Sequence, residues 1–164
     1  MSGAGAMFTP QHLYFDDVAV GQRWESPGRT ITETDVVRFA GISGDFNPIH
    51  MDHEFARSTA FRRPIAHGLL VLSVASGLSS ACPLMRTLAF LQIREWELRG
   101  PVFFGDTLRV QGEVVRKEVR GRGRRGEITW RRRILNQEDK VVQEGLIVTL
   151  VEGRGRRADD AAAN

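Results

Sequence analysis

The sequence predicts an α+β domain in which one long antiparallel sheet wraps a buried central helix. Two observations carry that prediction. Residues 68–81 read as a helix that is apolar on nearly every side (Leu69, Leu70, Val71, Leu72, Val74, Ala75, Leu78), with polarity limited to small serines, and a helix of that kind belongs inside a fold. After Cys82-Pro83 come four strand-like runs at 87–99, 107–119, 127–136 and 141–151, with hairpin turns at 121–126 and 137–140. In the second run Leu108, Val110, Gly112 and Val114 alternate as the face of a half-buried strand.

The remaining elements follow in order. Residues 1–12 have little to bury and residues 153–164 form a Gly, Arg and Ala tail, so both are expected to be disordered around a single domain at 13–152. Residues 22–31 read as an opening strand. Thr32-Glu33-Thr34-Asp35 has the form of a capping box that starts a helix, with Val36, Phe39 and Ala40 as its apolar stripe and Gly41 to Gly44 as its stop. Asp45-Phe46-Asn47-Pro48-Ile49-His50 reads as a loop, because Pro48 lacks a donor and pushes Asn47 toward extended backbone. Asp52 is placed to cap a short helix through Arg57. A sheet closed around one helix is the hot-dog fold.

The bulk numbers exclude several classes. A chain of 164 residues fits one domain, and its lone Cys82 forbids an internal disulfide, which points to a reducing cytoplasm. The opening residues lack the basic start and apolar stretch of a signal peptide, and no apolar run is long enough to span a bilayer. Nine of the 23 basic residues and two of the 20 acidic ones lie between Arg116 and Arg133. That cluster belongs to one Gly-Arg turn and its flanks, and only Trp130 accompanies it for stacking. The expectation is a solvated hairpin and no nucleic-acid partner.

Asp45 and His50 are the candidate acid–base pair: a carboxylate and an imidazole brought together by an Asn-Pro turn. By itself an aspartate there is often a turn former. A metal reading, with His50-x-x-His53 and Asp45 as ligands, lacks the Glu of a zincin motif. Pro64-Ile65-Ala66-His67-Gly68 leads into the apolar helix, whose first N–H groups suit a developing oxyanion. Gly68 leaves the backbone open to a ligand, and His67 is expected to order the turn.

The stretch Phe39-Ala40-Gly41-Ile42-Ser43-Gly44-Asp45-Phe46-Asn47-Pro48-Ile49-His50, with Ala56 and then Arg63-Pro64-Ile65-Ala66-His67-Gly68, resembles the hydratase-2 motif of the MaoC-like family, which includes (R)-specific enoyl-CoA hydratases. The resemblance implies the hot-dog fold and hydration of a trans-2-enoyl-CoA, or its reverse, to an (R)-3-hydroxyacyl-CoA. It implies that Asp45 and His50 hold and activate water, that Asn47 shapes the loop, and that the Gly68 N–H polarises the thioester carbonyl. Ser76 falls where some members have a serine near the pair. The sequence does not assign the base to one member of the pair, since two coupled groups share one titration. No cofactor is implied, because CoA arrives on the substrate, and the assembly implied is a homodimer or a dimer of dimers. Arg62-Arg63 and the Arg120–Arg125 turn are candidates for contact with CoA phosphates. The rival readings are a hot-dog acyl-CoA thioesterase and a non-catalytic acyl-CoA or RNA binder.

Overall fold

A computed structural model describes residues 11–155; the expectations for residues 1–10 and 156–164 lie outside them. The expected opening strand is two short pieces, β1 (Arg23–Glu25) and β2 (Arg29–Thr30). Pro27 between them has no N–H to donate, so the ladder breaks there. Both pieces still pair with a single later strand, β4 (Thr107–Arg120).

Helix α1 (Glu33–Ser43) starts as its capping box dictates. Thr32 Oγ1 accepts from Asp35 N at 3.2 Å, and an Asp35 carboxylate oxygen accepts from Thr32 N at 2.9 Å. It stops at Gly44, whose φ of +75° places it in the left-handed region, and the Gly44 N–H donates to Ala40 O. The loop reading of residues 45–50 needs correction, because Pro48–Met51 is a helical turn, α2. At the first helical position the missing N–H of Pro48 costs nothing, and Asn47 Oδ1 caps the turn through Ile49 N at 3.1 Å. Helix α3 (His53–Ser58) follows, with Asp52 accepting from Glu54 N and Phe55 N at 2.9 and 3.0 Å.

Helix α4 (Gly68–Ser80) then lies on the sheet formed by β3 (Thr87–Leu98), β4, β5 (Arg125–Leu135) and β6 (Val141–Glu152). The strand order is β1-β4-β5-β6-β3, all neighbours antiparallel, with β2 also on β4. One apolar cluster packs Leu70, Val71, Val74 and Ala75 of α4 on Leu108, Val110, Ile134 and Val142, with Val36 of α1. A second joins Phe15, Val114, Ile128, Trp130 and Val151 at the other end of the sheet.

Three expectations change. Helix α4 is not wrapped on every side: Leu69 is 68% exposed, and Ser73, Gly77 and Ser80 face outward with it. One sheet covers one side of a helix, and the other side is left open together with the edge strand β3. The basic segment is solvated at Arg122, Arg124 and Arg125, and Arg120, Arg131 and Arg133 pair with glutamates, but Arg132 points inward at 6% exposure. The tail does not begin at 153, because Arg154 grips both Asp17 carboxylate oxygens at 2.8 and 2.7 Å, and its backbone N–H donates to Asp16. Among the described residues no helix is long and apolar enough to cross a membrane.

Candidate active site

The turn at α2 and the entry to α4 meet where the sequence places its candidates. His50, on α2, donates through Nδ1–H to the Ile65 carbonyl at 2.7 Å. The carbonyl can only accept, so the neutral ring carries its proton on Nδ1 and leaves Nε2 with a free lone pair. That Nε2 faces an Asp45 carboxylate oxygen at 3.9 Å. The gap is too long for a direct hydrogen bond and has the right size for a shared water. Asp45 is half exposed, whereas the His50 side chain is 12% exposed. Burial pushes the His50 imidazole below its ordinary pKa, and the neighbouring His67 ring adds to that effect; the Ile65 carbonyl and Asp45 oppose both but do not cancel them.

Asn47 belongs to the same turn. Its N–H donates to Asp45 Oδ1 at 3.2 Å while its side chain caps α2, so it fixes the carboxylate relative to the His50 backbone. Gly68 opens α4 and lines one cleft with His50, Ile65, Val71 and Leu98, of about 490 Å³. The first N–H groups of a helix have no partner inside it. A Cβ at Gly68 would sit 2.2 Å from Leu98 Cδ2, so this start of the helix is crowded against β3.

Two residues join the site that the sequence reading left outside it. His67 is 2% exposed; its Nε2–H donates to the Asp45 carbonyl at 2.9 Å, and its ring lies 3.9 Å from that of His50, centroid to centroid. It does order the turn, as expected, but its Nε2 also lies 4.0 Å from the Asp45 carboxylate, and its Nδ1 is buried without a partner among the described residues. Its signals in the sequence are its place in the stretch 63–68 and its adjacency to Gly68. Gln143, on β6, is 2% exposed; it donates to Gly68 O at 2.9 Å and accepts from Trp96 Nε1 at 3.0 Å, which locks the first turn of α4.

Other candidates lie elsewhere. Ser76 sits about 12 Å further along α4, at 1.5 Å per residue, and lines a different cavity. His53 Nε2 bonds Glu33 at 2.9 Å, which removes it from the metal reading. Donor atoms of Asp45, His50 and His67 do lie within 4.8 Å of one another, the one such grouping among the described residues. Nδ1 of His50 and Nε2 of His67 are already bound to carbonyls, which leaves Nε2 of His50 as the ring nitrogen that faces the Asp45 carboxylate. Of the arginines, Arg63 stacks on Phe103 at 3.8 Å, and Arg99 lines the His50 cleft. The Arg120–Arg125 turn lies beyond the far end of β6, about 30 Å from Gln143 at 3.3 Å per residue, and so outside the cleft of its own subunit.

Known proteins resemble this chain across the same region. The family described as MaoC like domain matches residues 17–132. An (R)-specific enoyl-CoA hydratase of Rhodospirillum rubrum is 33% identical over 146 residues, covering 87% of this chain and 94% of that protein. Protein MaoC of Klebsiella aerogenes is 33% identical over 111 residues, 68% of this chain, and the match spans only 33% of that longer protein. Among solved structures, the (R)-hydratase from A. caviae superposes with a TM-score of 0.66 at 32% identity, covering 80% of this chain and 96% of that one. The hot-dog layout, the Asp45–His50 turn and these matches agree: the chain belongs to the MaoC-like domain family.

Proposed function

We propose that the chain is a hydro-lyase that adds water to trans-2-enoyl-CoA, or removes it from the (R)-3-hydroxyacyl product. The observation that carries this reading is the 3.9 Å approach of Asp45 Oδ2 to Nε2 of His50, a residue that lines one cleft with Gly68. A thioester conjugated to a double bond is electrophilic at C3. Water held between the carboxylate and Nε2 loses a proton to this pair as its oxygen bonds to C3. Electron density moves through C2 to the thioester oxygen, where N–H groups at the start of α4 stabilise the charge. The pair returns a proton to C2 on the same face, which gives syn addition and a neutral product. His67 fixes the Asp45 backbone and Gln143 the Gly68 backbone, so donors and base keep their spacing. Incubation with crotonyl-CoA tests the reading: the conjugated absorbance should fall with no release of free thiol. Thiol release would favour a thioesterase, and no change at all a binding protein.

The acid limb of kcat/KM should reflect His50. Its neutral form is the competent one and burial lowers its pKa, so activity should persist below the ordinary imidazole value of about 6.5 and fall only as pH drops through the lowered value. The sign for stability is the same: the native state resists this protonation, and the contribution is lost as pH falls through the lowered value. A limb centred above about 6.5 would contradict a neutral, buried His50 base.

The reading includes a homodimer. Among the described residues strand β3 pairs with β6 on one side only, which leaves a twelve-residue edge open, and Leu88, Phe90, Leu91, Ile93 and Leu98 on it are exposed, as is Leu69 of α4. A long, apolar, unpaired edge is a liability that a second copy relieves by pairing across a two-fold axis. Light scattering at micromolar concentration should give twice the chain mass. Phe90→Asp with Ile93→Asp should give a monomer with little activity. A fully active monomer of the unmodified chain would contradict this assembly.

A further inference from the structure

The inward face of β5 runs Ile128, Trp130, Arg132, Ile134, so a guanidinium interrupts an apolar stripe and stands between the two core clusters. Its neighbours Arg131 and Arg133 point outward and pair with Glu113 and Glu144. Arg132 has no such partner among the described residues, and its Nε is buried with no hydrogen bond. The Cys82 thiol donates to the Glu25 carbonyl at 2.9 Å and supplies no counter-charge. Burial pushes the guanidinium pKa down to about 10, so it stays charged at neutral pH.

The fold makes room for this charge. Gly112 of β4 pairs directly with Arg132, and a Cβ there would lie 2.1 Å from Arg132 Nη1. The guanidinium carbon lies 4.6 Å from the centroid of the Trp130 ring. The side chain borders a cavity of about 200 Å³ with Ser76, Ser79, Thr149 and the apolar Met85, Phe90 and Ile147. The Ser76 and Ser79 hydroxyls make no side-chain hydrogen bond among the described residues. A buried cation without a counter-charge is costly, and a guanidinium beside free hydroxyls matches a carboxylate, which it can hold by two parallel hydrogen bonds.

The cavity lies along the elements that form the His50 cleft. Helix α4 runs from Gly68 at the cleft to Ser76 and Ser79 at the cavity, a rise of about 12–17 Å at 1.5 Å per residue, and β6 runs beside it from Gln143 to Thr149. The outward stripe Leu69, Ser73, Gly77 lies between them. We propose that the Arg132 cavity receives a carboxylate at the far end of the acyl chain, so that the substrates are 2-enoyl thioesters terminated by a carboxylate. This rests on the hydratase reading and names the substrate class of the same site.

The test compares kcat/KM for CoA thioesters of matched length that end in either a carboxylate or a methyl group, with adipate alone as a separate ligand. The carboxylate series should be preferred by tenfold or more in the unmodified enzyme. Arg132→Met, close in length and uncharged, should reverse the preference; replacing a buried unpaired ion by an apolar group tends not to destabilise. Should Arg132→Met fail to fold, Arg132→Lys, which keeps the charge and loses the two-pronged fork, should lower the preference severalfold. Equal rates on both series with hydration intact would overturn the proposal and leave the hydratase reading standing. Adipate binding that depends on Arg132, without any thioester preference, would assign the cavity to a free carboxylate and overturn it too. Hydration of neither series would remove the underlying reading and the proposal with it.

Discussion

Asp45→Asn and His50→Ala are each expected to lower kcat by about 10²–10⁴-fold, the usual cost of removing a group that transfers the proton. Asp45→Asn keeps the shape of the turn, because Oδ1 can still accept from the Asn47 N–H; what it removes is the charge facing His50 Nε2. His50→Ala removes both the lone pair aimed at the water and the bond from Nδ1 to Ile65 O. The double variant should be little worse than either single one, since the two groups act on one water. Neither change touches the apolar clusters, so circular dichroism and the unfolding midpoint should stay close to those of the unmodified chain. A variant that retains near-native turnover would displace that residue from the acid–base role.

Trp130→Ala should cost about 3–5 kcal/mol of stability, the range for deleting a large buried aromatic. Trp130 is 1% exposed, stands edge-on to Trp24 with ring centroids 5.9 Å apart, and donates from Nε1 to Thr149 at 2.9 Å. Its loss opens a void in the cluster that holds Phe15, Val114, Ile128 and Val151, and leaves the Arg132 guanidinium without its aromatic face. Whole-domain stabilities are about 5–15 kcal/mol, so the variant should be marginal at ambient temperature. Urea unfolding should move to a lower midpoint with an unchanged slope. A loss below about 1 kcal/mol would mean that the second cluster contributes little to the fold.

Features coded by near neighbours were legible in the sequence. The Thr32–Asp35 capping box, the left-handed stop at Gly44, the Asp52 cap and the four long strands all depend on residues a few positions apart. Pro48 reads as a breaker in sequence but opens a helical turn, because the same missing N–H serves both roles and Asn47 decides between them. The Asp45–His50 pairing was readable because five residues separate its members. The contribution of His67 was not, since its contact with Asp45 spans 22 residues and depends on how α4 enters the site. Gln143 reaches Gly68 across 75 residues, and no local pattern encodes that. Arg132 is the instructive case: the period of two puts it on the inward face with Ile128, Trp130 and Ile134, but three consecutive arginines obscured the alternation. The open face of α4 follows from laying one sheet on one helix, and the apolar serine-bearing helix alone does not show it. Composition reports that a helix is apolar all round, and it does not say whether one chain or two supplies the cover.

The configuration of the product tests the account most directly. With water held by Asp45 and His50 on one face of the enoyl group and the carbonyl held at Gly68, addition can reach C3 from one side only. Chiral analysis of the 3-hydroxybutyryl-CoA formed from crotonyl-CoA should therefore give a single enantiomer, and the similarity to (R)-specific hydratases predicts that it is (R). A racemic product would contradict the assignment of this pair and this helix start as the hydration site, and an (S) product would contradict the (R)-specific reading.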